Sequence, residues 1–269
     1  MNDNKPNPEQ IPYVLNQHND ERIDNYYWMR DDTRSSEKVL SYLRAENAYA
    51  DQWFAARNNY KKDLFDELML QVAEEEISYA VNNNGYKYYE KTKKFDQLSR
   101  FYRSDSLGEE FLILDPNIKL INQEYYDVKS ITPSFDNSLI AISEDNNGRR
   151  EYTIKIIDSE SMTERDDLVE NTTGTVIWTD NNEYILYLKK DPVTLISNSV
   201  YAHKIGLPSS TDVLLYREDD PEFNLSLSLS KTKKYAFINI EATNLNEIRL
   251  ININTVSYTH LRAHETTRH

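Results

Sequence analysis

Between residues 35 and 73 the hydrophobic side chains recur at steps of three and four positions, with charged side chains between them. The repeating positions are Val39, Leu40, Leu43, Ala48, Tyr49, Trp53, Phe54, Leu64, Phe65, Leu68, Met69 and Val72. Because this spacing gathers apolar side chains on one helix face, it predicts two helices, or one long helix bent near Asn58. A hydroxyl side chain among residues 33 to 36 can cap the first helix. Ahead of it, residues 1 to 23 are polar and contain three prolines, which predicts an extended arm.

From Tyr79 onward the hydrophobic period changes from helical to alternating. Short strands are divided by Asn-Gly and Asp-Asn turns, a pattern typical of β-hairpins. Three segments repeat a polar turn followed by a strand: TPSFDNSLIAIS (132–143), WTDNNEYILYLK (178–189) and LSKTKKYAFINI (229–240). A spacing of roughly 45 to 55 residues predicts propeller blades of about four strands each. We therefore predict a mainly β fold, a partial β-propeller of about three to four blades with an N-terminal helical arm. A sandwich of short strands is the alternative.

Composition narrows the possible partners and chemistry. The 269 residues are 39% hydrophobic and 28% charged, which is typical of a globular protein with a core. A formal charge of −14 argues against a nucleic-acid backbone as partner. The chain has no cysteine, so disulfides, thiolate metal sites and cysteine nucleophiles are absent. No segment has the apolar length of a signal peptide or of a membrane span. We predict a cytoplasmic protein with no membrane and no nucleic-acid partner.

Residues 256 to 269 interrupt the alternating pattern and hold three of the five histidines. His260 and His264 are four positions apart, a spacing that places two metal ligands on one helix face. No HExxH motif and no third ligand accompany them, so we assign no metal site. The segment resembles a translated sequencing-adapter remnant. We interpret it as a non-native tail and expect the native protein to continue beyond Thr255 with other residues.

The run DNYYWMRDDTRSSEKVLSYLRAENAYADQW, residues 24 to 53, carries a resemblance to a known family. Its most specific parts are YYWMRDD and VLSYLRAENAY, and the order of the later strand segments agrees as well. The chain resembles the N-terminal part of the prolyl oligopeptidase family of serine peptidases, and within it the oligopeptidase B branch. The resemblance covers about residues 11 to 254.

This resemblance implies a seven-bladed propeller that caps an α/β-hydrolase domain, with the N-terminal helices belonging to the hydrolase half. It implies three regions: an extended and helical segment over 1–75 that packs on the hydrolase domain, a partial propeller over 76–255, and the tail over 256–269. The missing hydrolase domain would be the intramolecular partner of the helices. The activity implied is hydrolysis of short peptides after Arg or Lys.

The chemistry of this family needs a serine nucleophile on a strained turn, a histidine base, an acidic residue and amide donors for the oxyanion. The chain contains no G-x-S-x-G motif, and His18 and His203 are isolated, the latter within an alternating strand. The adjacent Asp31 and Asp32 are poorly arranged as an acid/base pair, and we assign them to ion pairs with nearby arginines or to the start of the helix. We therefore assign no catalytic, cofactor-binding or metal-binding residue and expect this chain alone to be inactive. The alternative function is a non-catalytic propeller that binds proteins.

Overall fold

The computed structural model describes residues 5–255, and the chain divides into two compact units between Ala73 and Glu74. The division predicted from the resemblance, 1–75 followed by 76–255, falls two residues later. The role of the first unit as a surface for a hydrolase domain stays a prediction.

The N-terminal unit begins with a β-hairpin. Strand β1 (Tyr13–Gln17) pairs antiparallel with β2 (Asp20–Asp24). His18 and Asn19 between them have φ of 54° and 64°, and a type I′ turn requires positive φ at both central residues. The Tyr13 ring stacks on another tyrosine of this unit with ring centroids 4.0 Å apart. The predicted extended arm is therefore wrong over these strands, which form a hairpin. The sequence did not reveal the turn because it has His and Asn where glycine is typical.

Two helices follow, as the apolar period predicts. A single turn of 3-10 helix (Tyr27–Met29) leads to α1 (Glu37–Ala55) and α2 (Asn58–Met69). Ser36 stands at the start of α1, but its hydroxyl makes no capping hydrogen bond. The Asp31 carboxylate instead accepts the Ser36 amide at 2.6 Å, so an aspartate five residues earlier holds the start of the helix.

Neither helix has a buried residue within the part of the chain that the structure describes. Eight large apolar side chains of the two helices are each at least 43% exposed: Leu43, Trp53, Phe54, Tyr60, Leu64, Phe65, Leu68 and Met69. Val39, Leu40, Tyr42 and Tyr49 of α1 are half-buried. An amphipathic helix gains most of its stability by packing its apolar face. The N-terminal unit supplies only part of that packing.

The C-terminal unit is built from antiparallel strands in three sheets. The strands of the first sheet are β3 (Glu76–Ile77), β4 (Val81–Asn83), β5 (Tyr86–Thr92), β6 (Arg100–Ser104) and β7 (Glu110–Leu114). After the short helix α3 (Pro116–Leu120), the second sheet contains β8 (Asp127–Pro133), β9 (Leu139–Asp145), β10 (Tyr152–Asp158), β11 (Glu164–Trp178), β12 (Tyr184–Lys190), β13 (Ser197–Lys204) and β14 (Val213–Arg217). The third contains β15 (Asn224–Leu229), β16 (Tyr235–Glu241) and β17 (Asn246–Asn252).

Strand β11 divides the seven-stranded sheet into two blades. Its first half pairs with β10 and its second half with β12, and the register shifts between Thr172 and Val176. Gly174, inside this shift, has a φ of 79°. We call β3–β7 blade 1, β8 to the first half of β11 blade 2, the second half of β11 to β14 blade 3, and β15–β17 blade 4. In blades 2, 3 and 4 the inner strand is the first one, which is β8, the second half of β11 and β15 respectively. In blade 1 the inner strand is β4.

The hydrophobic core lies between consecutive blades, in three clusters of buried side chains. Strand β9 shows how one strand serves two of them. Ile140 and Ile142 pack with a side chain of blade 1, whereas Leu139 and Ala141 pack with side chains of blade 3. Because both faces of such a strand are covered, its sequence is a nearly continuous run of hydrophobic residues. Full burial of one large aliphatic side chain contributes roughly 1.5–3 kcal/mol, so the blades are held together mainly by these contacts.

Candidate functional site at the centre of the blades

The three repeated sequence segments form the same turn in blades 2, 3 and 4. In each, a hydroxyl accepts the backbone amide five residues later, and the fourth residue of the turn is left-handed. The hydroxyl pairs are Ser134 with Leu139 at 3.0 Å, Thr179 with Tyr184 at 3.0 Å and Ser230 with Tyr235 at 3.1 Å. The left-handed residues are Asn137 (φ 60°), Asn182 (φ 57°) and Lys233 (φ 56°). Each turn follows the inner strand of its blade, so the three turns lie at the same end of the blades.

Blade 1 joins these turns through a pair of asparagines. The Asn83 side-chain amide donates to Asn137 Oδ1 at 2.8 Å, and the Asn137 amide donates to the Asn83 carbonyl at 3.2 Å. The Tyr88 hydroxyl donates to the same Asn137 oxygen at 2.9 Å. Burial raises the pKa of Tyr88, while the nearby Arg103 opposes that shift. Reciprocal hydrogen bonds of this kind fix the end of blade 1 against the turn of blade 2.

Lys233 connects blade 4 to blade 1 at the same end. Its Nζ donates to Asn83 Oδ1 at 3.1 Å and lies 5.3 Å from the centroid of the Phe135 ring. A left-handed backbone costs a residue with a side chain roughly 1–2 kcal/mol, less for the asparagines that occupy this position in the other two blades. Lysine is therefore the unfavourable choice for the turn itself, and its ammonium makes contacts that an asparagine there is too short to make.

A cavity of about 650 Å³ lies beside these turns. Its walls come from all four blades: the inner strands β4 and β8, the end of β11, and residues at the end of β15. Aromatic side chains form much of the lining, among them Tyr79, Tyr88, Phe101 and Trp178. The Trp178 indole also donates to a backbone carbonyl of β8 at 2.9 Å. A mainly apolar cavity with a few polar groups is the usual form of a binding site for small molecules or peptides.

The two histidines that the structure describes are both away from this cavity lining. Neither His18 nor His203 hydrogen-bonds to a serine hydroxyl within residues 5–255. In the same range, no group of three His, Asp or Glu side chains is arranged to hold a metal ion. The predicted tail with His260 and His264 lies outside the described residues. Within the described residues, the cavity lining includes Ser78 and Ser130 but no histidine.

The structure places the remaining residues singled out in the sequence as follows. His203 lies in β13 and is fully buried, with both ring nitrogens facing carboxylates. Asp32 pairs with Arg30 at 3.3 Å on the surface. Asp31 accepts amide and hydroxyl hydrogens from the loop before α1, and the Ser36 amide is the largest cause of its lowered pKa. The two aspartates thus have separate structural roles, one in an ion pair and one at the start of a helix.

These observations first define a class of protein: a β-propeller, seen as four consecutive antiparallel blades around a shared cavity. Comparison with known sequences then defines the family. Residues 6–262 match the family described as "Prolyl oligopeptidase, N-terminal beta-propeller domain". The chain therefore belongs to the prolyl oligopeptidase family, and the predicted fold class is confirmed. The match runs beyond Thr255, and the origin of residues 256 to 269 stays a prediction.

Two curated relatives show what the chain is similar to. It is 34% identical over 263 residues to the protein named "Dipeptidyl aminopeptidase BI" of Pseudoxanthomonas mexicana, covering 91% of this chain and 36% of that one. It is 26% identical over 259 residues to "Protease 2" of Moraxella lacunata, with the same coverages. The chain therefore spans about a third of the length of the curated relatives that it matches.

Solved structures agree on the fold. Oligopeptidase B from Leishmania major superposes with a TM-score of 0.86 at 24% identity, covering 93% of this chain and 38% of that one. Oligopeptidase B from Trypanosoma brucei superposes with a TM-score of 0.83 at 25% identity, covering 93% and 37%. Both matches, like those to the curated relatives, involve only part of a longer protein.

Sequence reasoning missed the residues that join the blades at the cavity. Asn83, Asn137 and Lys233 are far apart in the chain, and only Asn137 and Lys233 belong to the repeated turn. A signal for them was present in that repeat, since Lys233 occupies the place that asparagine holds in the other two turns. The carboxylates beside His203 had no signal, because their spacing in the sequence follows no motif.

Proposed function

We propose that this chain is the N-terminal, propeller-bearing part of a serine oligopeptidase that hydrolyses short peptides. The observation that carries the proposal is the family match over residues 6–262 in a chain that spans about a third of its curated relatives. The catalytic serine, histidine and acidic residue would lie in the α/β-hydrolase domain of the parent protein. In this proposal the chain by itself is inactive and the parent is cytoplasmic.

The propeller in this proposal filters substrates by size. The turns of blades 2 and 4 meet the end of blade 1 through Asn83, Asn137 and Lys233 at one end of the cavity. In the parent, a ring of blades around this cavity of about 650 Å³ would exclude folded proteins and admit an extended peptide. The filter would thus limit the reaction to short peptides without touching the reacting atoms.

Two specificities compete for the parent enzyme. Cleavage after Arg or Lys is what the resemblance of the N-terminal signature to the oligopeptidase B branch implies, and Protease 2 is among the similar proteins. Removal of dipeptides from a free N-terminus is favoured by the higher identity, 34%, to a protein named as a dipeptidyl aminopeptidase. We propose cleavage after Arg or Lys, with dipeptide release as the second candidate.

The first experiment is to sequence the gene beyond codon 255. An open reading frame that continues into a G-x-S-x-G motif supports the peptidase, and a stop codon at the end of this chain supports the alternative, a non-catalytic binding module. The isolated chain is then assayed on an N-terminally blocked arginyl substrate. Turnover that persists through purification and is abolished by a serine-directed inhibitor would contradict the assignment of the catalytic residues to another domain.

The second experiment separates specificity and filtering in the full-length parent. Preference for a blocked arginyl peptide over a free dipeptidyl substrate supports the first specificity, and the reverse preference supports the second. For the filter, Lys233→Ala should raise kcat/KM for long peptides relative to short ones, because it removes the contact between blades 4 and 1. Lys231→Ala, in the same exposed turn, is the matched control. An unchanged ratio in Lys233→Ala would refute the filtering role of this contact.

A further inference from the structure

Three ionisable side chains form a buried cluster between blades 2 and 3. His203 of β13 is 0% exposed, and the side chains of Asp167 and Asp212 beside it are 1% and 2% exposed. His203 Nε2 lies 3.1 Å from Asp167 Oδ1, and Nδ1 lies 2.7 Å from Asp212 Oδ1. Asp167 belongs to the first half of β11, in blade 2, while His203 and Asp212 belong to blade 3. The cluster therefore spans a junction between two blades.

Every carboxylate oxygen in the cluster has a partner. The Gly206 amide donates to Asp167 Oδ1, and Arg165 Nε lies 3.4 Å from Asp167 Oδ2. The Tyr187 hydroxyl donates to Asp212 Oδ2 at 2.7 Å. Buried carboxylates remain ionised only when they are hydrogen-bonded and paired with positive charge. The neighbours of both aspartates are donors, so they match the ionised form.

With both aspartates ionised, the imidazole geometry fits one protonation form. A neutral imidazole has a hydrogen on one nitrogen only, so its other nitrogen would face a carboxylate lone pair to lone pair. Only the doubly protonated imidazolium donates to both aspartates at once. In that form the two positive charges, His203 and Arg165, balance the two negative charges, Asp167 and Asp212. The cluster then has no net charge, which lowers the cost of burying it, although Arg165 itself is partly exposed.

We propose that Asp167, His203 and Asp212 form a charged clasp, with His203 as an imidazolium, that fixes blade 2 to blade 3. The strands of the two blades are already joined through β11, but that strand changes partners at the shift containing Gly174. The clasp holds the first half of β11 to the connection between β13 and β14, on the far side of that shift. It would thus keep the two blades from moving apart, which a cavity walled by all four blades requires.

The first test reads the charge of His203 directly in a folded protein. The chain has five histidines, so replacing His18, His260, His264 and His269 with Gln leaves His203 as the only imidazole. Nitrogen-15 NMR spectra at neutral pH should show a proton bonded to each ring nitrogen, protected from exchange with water. A spectrum with one protonated and one unprotonated nitrogen would overturn the proposal. This test needs no change within the cluster and so does not depend on a destabilised variant.

The second test removes one member at a time. His203→Gln and Asp167→Asn should each lower the equilibrium constant for folding about 100- to 1000-fold, because each leaves a buried charge without its partner. The double variant should lose less than the product of the two single losses, since it removes both members of a pair. In Asp167→Asn the Gly206 amide should also exchange faster with deuterium.

Matched controls come from exposed residues of the same types. His18→Gln in the hairpin turn and Asp180→Asn in an exposed turn should change the folding constant by no more than about threefold. If His203→Gln is as stable as His18→Gln, or if the two single losses simply multiply in the double variant, the clasp does not exist. If the variants do not fold at all, the NMR experiment on the protein with His203 intact decides the question.

Discussion

Gly174 offers the sharpest test of how the blades are joined. It lies in the register shift of β11 with a φ of 79°. A Cβ atom at this position would lie 2.8 Å from Lys129 Cγ and 2.9 Å from Tyr152 Cγ. Tyr152 is buried and its Cγ is bonded directly to Cβ, so that ring cannot move aside without shifting its strand. Lys129 is exposed, but its Cβ would also lie 3.0 Å from the new atom.

The cost of Gly174→Ala has two parts. The left-handed backbone costs an alanine roughly 1–2 kcal/mol. Overpacking against β8 and β10 adds roughly 1–3 kcal/mol. We therefore expect Gly174→Ala to reduce the free energy of unfolding by about 2–5 kcal/mol. Urea denaturation followed by tryptophan fluorescence measures this, in a background where Trp28 and Trp53 are replaced with Phe so that Trp178 reports on the C-terminal unit alone.

Gly108 supplies the matched control. Its φ is 86°, but a Cβ there would meet nothing within 4 Å. Gly108→Ala should therefore cost only the backbone part, about 1–2 kcal/mol. The difference between the two variants isolates the contact with Lys129 and Tyr152. Equal losses in the two variants would refute the close packing of β11 against its neighbours.

Three further predictions concern other parts of the molecule. Burial, with the nearby charge of Asp127, raises the pKa of Tyr152 to about 12, above the value of about 10 expected in an unfolded chain. This group should therefore leave the stability unchanged below pH 10. Between about pH 10 and 12 the stability should fall, because the unfolded chain then releases the proton more readily than the folded one. Tyr152→Phe should weaken that fall in urea titrations at alkaline pH, and an unchanged pH profile would contradict the assignment. Trp178→Phe should cost about 1–3 kcal/mol by circular dichroism, because a part-buried backbone carbonyl loses its donor, and a stability equal to wild type would show that this hydrogen bond contributes nothing. Finally, the exposed apolar face of α2 should cause self-association that rises with concentration in sedimentation velocity; Phe65→Ser with Leu68→Ser should reduce it, and association that persists in this double variant would place the interface elsewhere.

The helices and the blades show which structural features can be predicted from local sequence. The three- and four-residue steps before Val72 and the alternating runs after Tyr79 depend on neighbours a few positions away, so the element types follow from the chain itself. The hairpin around His18 and Asn19 escaped prediction because the rule for such turns relies on glycine, and these residues adopt positive φ without it. The repeated turns were found as a motif, but the motif does not indicate which turns contact the end of blade 1.

The amino-acid sequence alone determined the class of fold, the family and the absence of a nucleophile motif, because periodicity and signature residues are properties of contiguous segments. Only the tertiary structure decided that β11 serves two blades, that Lys233 reaches Asn83 from 150 positions away, and that His203 lies between Asp167 and Asp212. These contacts depend on how blades stack. Stacking is governed by burial summed over whole faces of strands, which no short segment encodes. The same reason makes the buried charges visible only in three dimensions, since their stability depends on partners brought together by the packing around them.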